Sequence, residues 1–155
     1  MIKLDFLIIG DILNDSEIRY LEEIKEIITE NNLMDYVYFL GWRQDVLSIM
    51  KELDLIVLPS YSEGLPRTVL ESLACSCPVI ATDVAGTGEI IEHKANGMLI
   101  KPGDVNALSE ALEYMLIDKT KLRQMGIEGR KTIENKFLME KYVNDLQDII
   151  IKTVK

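Results

Sequence analysis

Glu63 and Glu71 stand eight positions apart in the stretch Leu55-Ile56-Val57-Leu58-Pro59-Ser60-Tyr61-Ser62-Glu63-Gly64-Leu65-Pro66-Arg67-Thr68-Val69-Leu70-Glu71. The stretch opens as a short apolar run of strand length, turns through Ser, Gly and Pro, and continues with helical spacing. It therefore predicts strand, loop, helix. Pro66 suits the first helical position, where a missing N–H is harmless, and Thr68 with Glu71 matches the Ser/Thr-x-x-Glu capping pattern. Helical side chains lean back toward the N-terminus, which carries Glu71 toward Glu63. Between the two acids lie the backbone amides of Gly64, Leu65 and the first turn. Amides at the positive end of a helix suit a phosphate, and carboxylates accept hydrogen bonds from hydroxyls. A ligand that joins phosphate to neighbouring hydroxyls, such as a sugar nucleotide, meets both requirements. The same residues also allow a plainer role, with Glu71 a capping acid and Glu63 a solvated turn residue.

The two acids, with Gly64-Leu65-Pro66 after the first and Leu70 before the second, resemble the Glu-x7-Glu signature of retaining glycosyltransferases of family 4, which have the two-domain GT-B fold. Phe39-Leu40-Gly41, Asp54 to Pro59, Pro78-Val79-Ile80-Ala81-Thr82, Gly86-Thr87-Gly88-Glu89-Ile90-Ile91 and Asn96-Gly97 follow in the family's order. Two positions depart from the pattern. Glu52 stands where a small residue is usual, and Ser76 stands where Gly is usual two positions before Pro78. If position 76 needs a positive φ, Ser is strained there by about 1 kcal/mol.

The resemblance implies the C-terminal half of a GT-B fold, with residues 1–155 a nucleotide-sugar (donor) binding domain and the N-terminal acceptor domain, a partner within the same enzyme, missing from the chain. It implies that Glu63 holds the hydroxyls of the transferred sugar as the catalytic carboxylate and that Glu71 holds the ribose. Gly64, Leu65 and Pro66 then cradle the diphosphate. Gly41, Trp42 and Arg43 inherit a place along the base, although Trp42 equally suits capping the core. Gly86, Thr87 and Gly88 border the sugar or its phosphates, or form a plain Gly-rich turn. The resemblance implies that the diphosphate-binding Arg and Lys come from a segment before residue 1, and Arg67 either substitutes for them or is a solvated surface residue. The family works without a metal cofactor, and no Asp-x-Asp pair occurs in the sequence.

Composition bounds the function further. At 155 residues the chain is one domain, able to bury about 68–70% of its unfolded surface. With 48% hydrophobic and 28% charged residues it reads as an ordinary globular protein without a run long enough to span a bilayer. A formal charge of −9 argues against a nucleic-acid partner, because such binding needs Lys and Arg on phosphates. Cys75 and Cys77 indicate neither a disulfide framework nor a zinc site, so buried small thiols in a reducing interior are expected. The expected location is cytoplasmic, with peripheral contact at the inner face of the membrane in the full-length enzyme.

The elements that must position the acids follow from pattern. Lys3 to Gly10 reads as a buried parallel strand. Asn14, Asp15 or Ser16 then caps a helix with Ile18, Leu21, Ile24, Ile27 and Ile28 on its apolar side. Val37 to Leu40 is a second strand, and Asp45 caps a helix through Val46, Ile49, Met50 and Leu53. After the central motif come a strand at Pro78 to Thr82, a short helix, a turn holding His93, and a strand at Met98 to Ile100. Pro102-Gly103-Asp104 breaks the chain and caps a helix with Leu108, Ala111, Leu112 and Met115 inward. From Lys119 onward the chain reads as helix broken near Gly126 and Gly129, with Phe137, Tyr142, Val143, Leu146 and Ile150 on a last amphipathic stretch. The alternation predicts an α/β fold, a Rossmann-like doubly wound parallel sheet covered on both faces.

Three other functions fit less well. A non-hydrolysing nucleotide-sugar epimerase shares the fold but uses a histidine, and the single His93 sits in a polar turn. A flavodoxin-like signalling domain needs acids clustered at strand ends, whereas Asp11, Asp54 and Asp83 are scattered. A non-catalytic nucleotide-sugar-binding module remains open, though both glutamates then lack a reason.

Overall fold

A computed structural model describes residues 4–11 and 15–153. Lys3 and Asn14, offered above as a strand start and a helix cap, lie outside the described residues, and of Asp15 and Ser16 only the backbone is described. The chain divides into two compact units, Met1–Val46 and Leu47–Lys155.

In the first unit β1 (Phe6–Ile9) pairs in parallel with β2 (Val37–Gly41), with α1 (Asp15–Glu30) between them in sequence. The parallel pairing is as expected, but the burial is not. Phe6, Leu7 and Ile8 remain exposed, because a ladder only two strands wide is too narrow to cover its own side chains. Of the apolar positions of α1, Ile28 is buried, Leu21 and Ile24 are half-buried, and Ile18 and Ile27 are exposed. The helix ends before Asn32, whose φ of 55° breaks it.

The second unit carries a three-stranded parallel sheet in the order β3-β4-β5, with β3 Ile56–Leu58, β4 Val79–Thr82 and β5 Gly97–Ile100. Each unit thus has its own parallel ladder. The central strand β4 alternates as a strand must. Val79 and Ala81 enter a cluster with Val69, Leu73, Ile90, Ile91 and Ile133, while Ile80 enters another with Met98, Ile100, Ala111, Met115, Leu122 and Met125. This sheet is therefore covered on both faces, by α3 (Arg67–Ala74), α4 (Thr87–Ile90), α5 (Val105–Leu116) and α6 (Lys119–Lys136). The sequence places α2 (Val46–Glu52) before β3. Asp104 caps α5 as its position predicts, accepting from the Ala107 amide at 2.9 Å.

The predicted break near Gly126 and Gly129 does not occur. Helix α6 runs unbroken from Lys119 to Lys136 and ends at Phe137, before α7 (Met139–Thr153). The glycines serve close packing instead. A Cβ at Gly126 would lie 2.0 Å from the Ser76 carbonyl oxygen, and one at Gly129 would lie 2.6 Å from Leu73 Cδ2. Helix α7 buries none of its residues, so Tyr142, Val143, Leu146 and Ile150 are exposed.

Ser76 itself has φ 61°, the positive value its departure from the family pattern raised as a strain. Ser76→Gly is expected to stabilise the chain by about 0.5–1 kcal/mol and to raise the melting temperature by about 1–4 °C. Gly126→Ala, which drives a methyl into backbone, is expected to lose about 3 kcal/mol in a denaturant titration.

Candidate functional site

Because β3, β4 and β5 are parallel, their three exit loops leave the sheet at one end, the carboxyl end where open α/β sheets bind ligands. The loops are tied together there. The buried Thr82 hydroxyl, at the end of β4, donates to the Ser60 carbonyl in the β3 exit loop. The Asp83 amide donates to the Ile100 carbonyl at 2.7 Å, joining the β4 and β5 exits. Gly86 passes so close to the β3 exit that a Cβ there would lie 3.0 Å from the Gly64 carbonyl oxygen and 3.5 Å from Leu65 Cδ1. A Cβ at Gly103, in the β5 exit, would meet the Tyr61 ring at 3.4 Å.

Glu63 is half-buried in the middle of this assembly, and its Oε1 accepts from the Ser60 hydroxyl at 2.7 Å. Gly64 and Leu65 are exposed, directly before α3. Pro66 is the N-cap residue rather than the first helical one, with φ −73° and ψ 94°, and it supplies no capping side chain. The predicted Thr68–Glu71 capping box does not form. Glu71 Oε1 instead accepts from Arg67 at 3.1 Å, an i,i+4 pair whose side chains are 85% and 36% exposed. The Val69 and Leu70 amides donate to the Pro66 carbonyl at 3.0 and 3.4 Å, and with no capping side chain at Pro66 the Arg67 and Thr68 amides are the ones helix geometry leaves without an intrahelical partner.

Other predicted site residues fall into distinct roles. Pro66 is buried, and so is Thr87, whose hydroxyl donates to the Thr82 carbonyl at 2.8 Å and accepts from the Val84 amide at 3.0 Å. Both side chains shape the loops from inside and offer no polar atom to a ligand. Gly88 is exposed, with Asp83 Oδ1 3.4 Å from where its Cβ would be. Gly41, Trp42 and Arg43 belong to the first unit. Gly41 has φ 62°, and Trp42 is 64% exposed, which removes its alternative role as a core cap. Arg43 Nε and Nη2 donate to the two Asp45 oxygens at 2.8 and 2.6 Å, and those bonds hold the Asp45 carboxyl below the usual carboxylate range. Asp45, expected to cap α2, has both oxygens on Arg43.

Sequence reasoning missed Ser60 and Thr82 as partners in the site. Thr82, the polar end of an otherwise apolar strand, was the available signal. Other candidates separate from the site. His93 Nδ1 accepts from the Leu99 amide at 3.1 Å and closes the turn before β5. A cavity of about 240 Å³, lined by Glu89, Asn96, Thr132 and Lys136 among others, touches the predicted donor residues only at Gly88. Asn96 is satisfied inside the fold by Glu92, Ile90 and Thr132. Among the described residues no cluster of three or more His, Cys, Asp or Glu side chains is arranged to hold a metal ion.

Residues 2–132 match the family of glycosyl transferases group 1. The chain belongs to that family. This group 1 chain is 32% identical over 151 residues to UDP-Gal:alpha-D-GlcNAc-diphosphoundecaprenol alpha-1,3-galactosyltransferase of Escherichia coli, covering 96% of the chain and 37% of the relative. It is 31% identical over 126 residues to N-acetyl-alpha-D-glucosaminyl L-malate synthase of Bacillus anthracis, covering 81% and 33%. Among solved structures it superposes on Anabaena Alr3699/HepE in complex with UDP with a TM-score of 0.90 at 26% identity, covering 96% of the chain and 41% of the other. The chain thus spans about two fifths or less of the length of these proteins. Its fold is Rossmann-like, that of the C-terminal half of a GT-B glycosyltransferase.

The two thiols of this group 1 domain differ. Burial pushes the Cys77 thiol up to about 11, while Cys75 is half-exposed with Sγ 3.7 Å from the Leu47 carbonyl. At pH 8 only about one Cys77 in a thousand is thiolate, so iodoacetamide is expected to add once per folded chain, at Cys75, and twice after unfolding. Intact-mass spectrometry reads the count.

Proposed function

We propose that this chain is the donor-binding half of a retaining glycosyltransferase of family 4, moving a hexosyl group from a nucleotide sugar to a glycan or lipid acceptor. The observation that carries the reading is that the β4 and β5 exit loops close on the β3 exit loop, at Gly64–Leu65 and Tyr61, where that loop carries Glu63 into a helix with no capping side chain at Pro66. In this reading Glu71 holds the ribose hydroxyls and Glu63 those of the sugar. The amides of Gly64, Leu65 and the α3 N-terminus receive the diphosphate, and stabilising charge on that departing group is the domain's chemical contribution. Gly41, Trp42 and Arg43 serve the base, and Gly86 and Gly88 let the loop approach the sugar and phosphates. The reading calls on no metal, as the resemblance to family 4 implies.

A UDP-linked donor is favoured by the name of the Escherichia coli relative and by the UDP bound in the Anabaena structure. The lipid-linked acceptor named for the same relative supports a cytoplasmic enzyme working at the inner membrane face. No helix of the described residues is long and apolar enough to cross a membrane. The 155 residues span about two fifths of the relatives' length, and on their own they are expected to bind donor weakly without transferring it.

Calorimetry with UDP- and GDP-sugars is expected to show weak binding that Glu71→Ala removes. Two carboxylate–hydroxyl bonds at about 1.5–3 kcal/mol each correspond to a loss of a hundredfold or more. Turnover by the isolated chain, or undiminished binding by the variant, would contradict the proposal.

A further inference from the structure

We infer that Ser60 is a positioning residue for Glu63, and that through it the domain distinguishes a sugar-bearing donor from the bare nucleoside diphosphate. The inference rests on the donor-site reading above. Glu63 lies in an exit loop, and a glutamate side chain with three rotatable bonds does not hold one orientation unaided. The Ser60 hydroxyl supplies the restraint, donating to Oε1 at 2.7 Å. Oε2 and the remaining lone pair of Oε1 stay available to accept from ligand hydroxyls.

Ser60 is itself held. Its carbonyl accepts from the Thr82 hydroxyl, and Thr82 is buried in register with Ile100 at the end of the central strand. A chain of two hydrogen bonds therefore runs from the sheet to the carboxylate. The restraint acts on the sugar end of the site alone, because the amides of the α3 N-terminus and Glu71 sit on the helix rather than on Ser60. Removing the hydroxyl should therefore weaken binding of the sugar and leave that of the nucleotide intact.

The test is a calorimetric titration of the 155-residue chain with UDP and with UDP-glucose, UDP-galactose and UDP-N-acetylglucosamine. The quantity read is the ratio of the Kd for UDP to that for the tightest of the three UDP-sugars. In Ser60→Ala the ratio is expected to fall about tenfold toward one, with the Kd for UDP unchanged, as loss of one hydrogen bond to a charged group would produce. Ser60→Thr, which keeps the hydroxyl, is expected to restore the ratio. Thr82→Val, which frees the Ser60 carbonyl, is expected to lower it less, and serves if Ser60→Ala does not fold. An equal loss for UDP and UDP-sugar, an unchanged ratio, or a native ratio of one would overturn the role of Ser60 while leaving a nucleotide site standing. Failure of the native chain to bind any of the four ligands would overturn the donor-site reading as well.

Discussion

Strand β4 is buried along its whole length, paired on both edges and covered on both faces. Moving it would uncover two apolar clusters at once, so its position is the constraint from which the rest is built. The exit loops inherit that fixity. Ser60 hangs from Thr82, the Thr87 hydroxyl returns to the Thr82 carbonyl, and Asp83 reaches across to Ile100. The candidate site is thus placed by the end of one strand, although few of its own residues lie in that strand.

The other side of the unit depends on closeness rather than on bonding. Helix α6 approaches the turn after α3 so tightly at Gly126 that a Cβ would overlap backbone, and at Gly129 it lies against the Leu73 side chain of α3. That turn is made by Ser76 in a left-handed conformation, with its carbonyl toward Gly126. A backbone strain of about 1 kcal/mol is small beside the burial of Leu73 and Ile133 that the approach permits, each contributing on the order of 2 kcal/mol. The strain therefore persists without threatening the fold.

Much of this was legible in the residues. Short apolar runs marked β3, β4 and β5, Asp104 marked the start of α5, and Ser in place of the usual Gly marked the left-handed turn at 76. What failed had a common cause. Gly126 and Gly129 read as breakers because the helix that needs them packs against a turn some fifty residues earlier in the chain. Thr68 and Glu71 fit a local capping pattern, yet Arg67 one turn away offered Glu71 a cation, and Pro66 took the cap position. The Ser60–Thr82 bond spans 22 residues and leaves no periodic trace. Local patterns report local competition, and each of these outcomes was decided by a partner distant in sequence or by a charge the pattern ignored.

The Arg67–Glu71 pair has a consequence of its own. A hydroxyl that approaches Glu71 meets a carboxylate with one oxygen engaged by a guanidinium and acceptor sites still open on the other, so Arg67 need not leave for Glu71 to accept it. Arg67, largely exposed to water and itself the first residue of α3, is a cation beside any anion seated at that N-terminus. Dissolved salt then acts on Arg67 twice, loosening its pair with Glu71 and screening it from that anion.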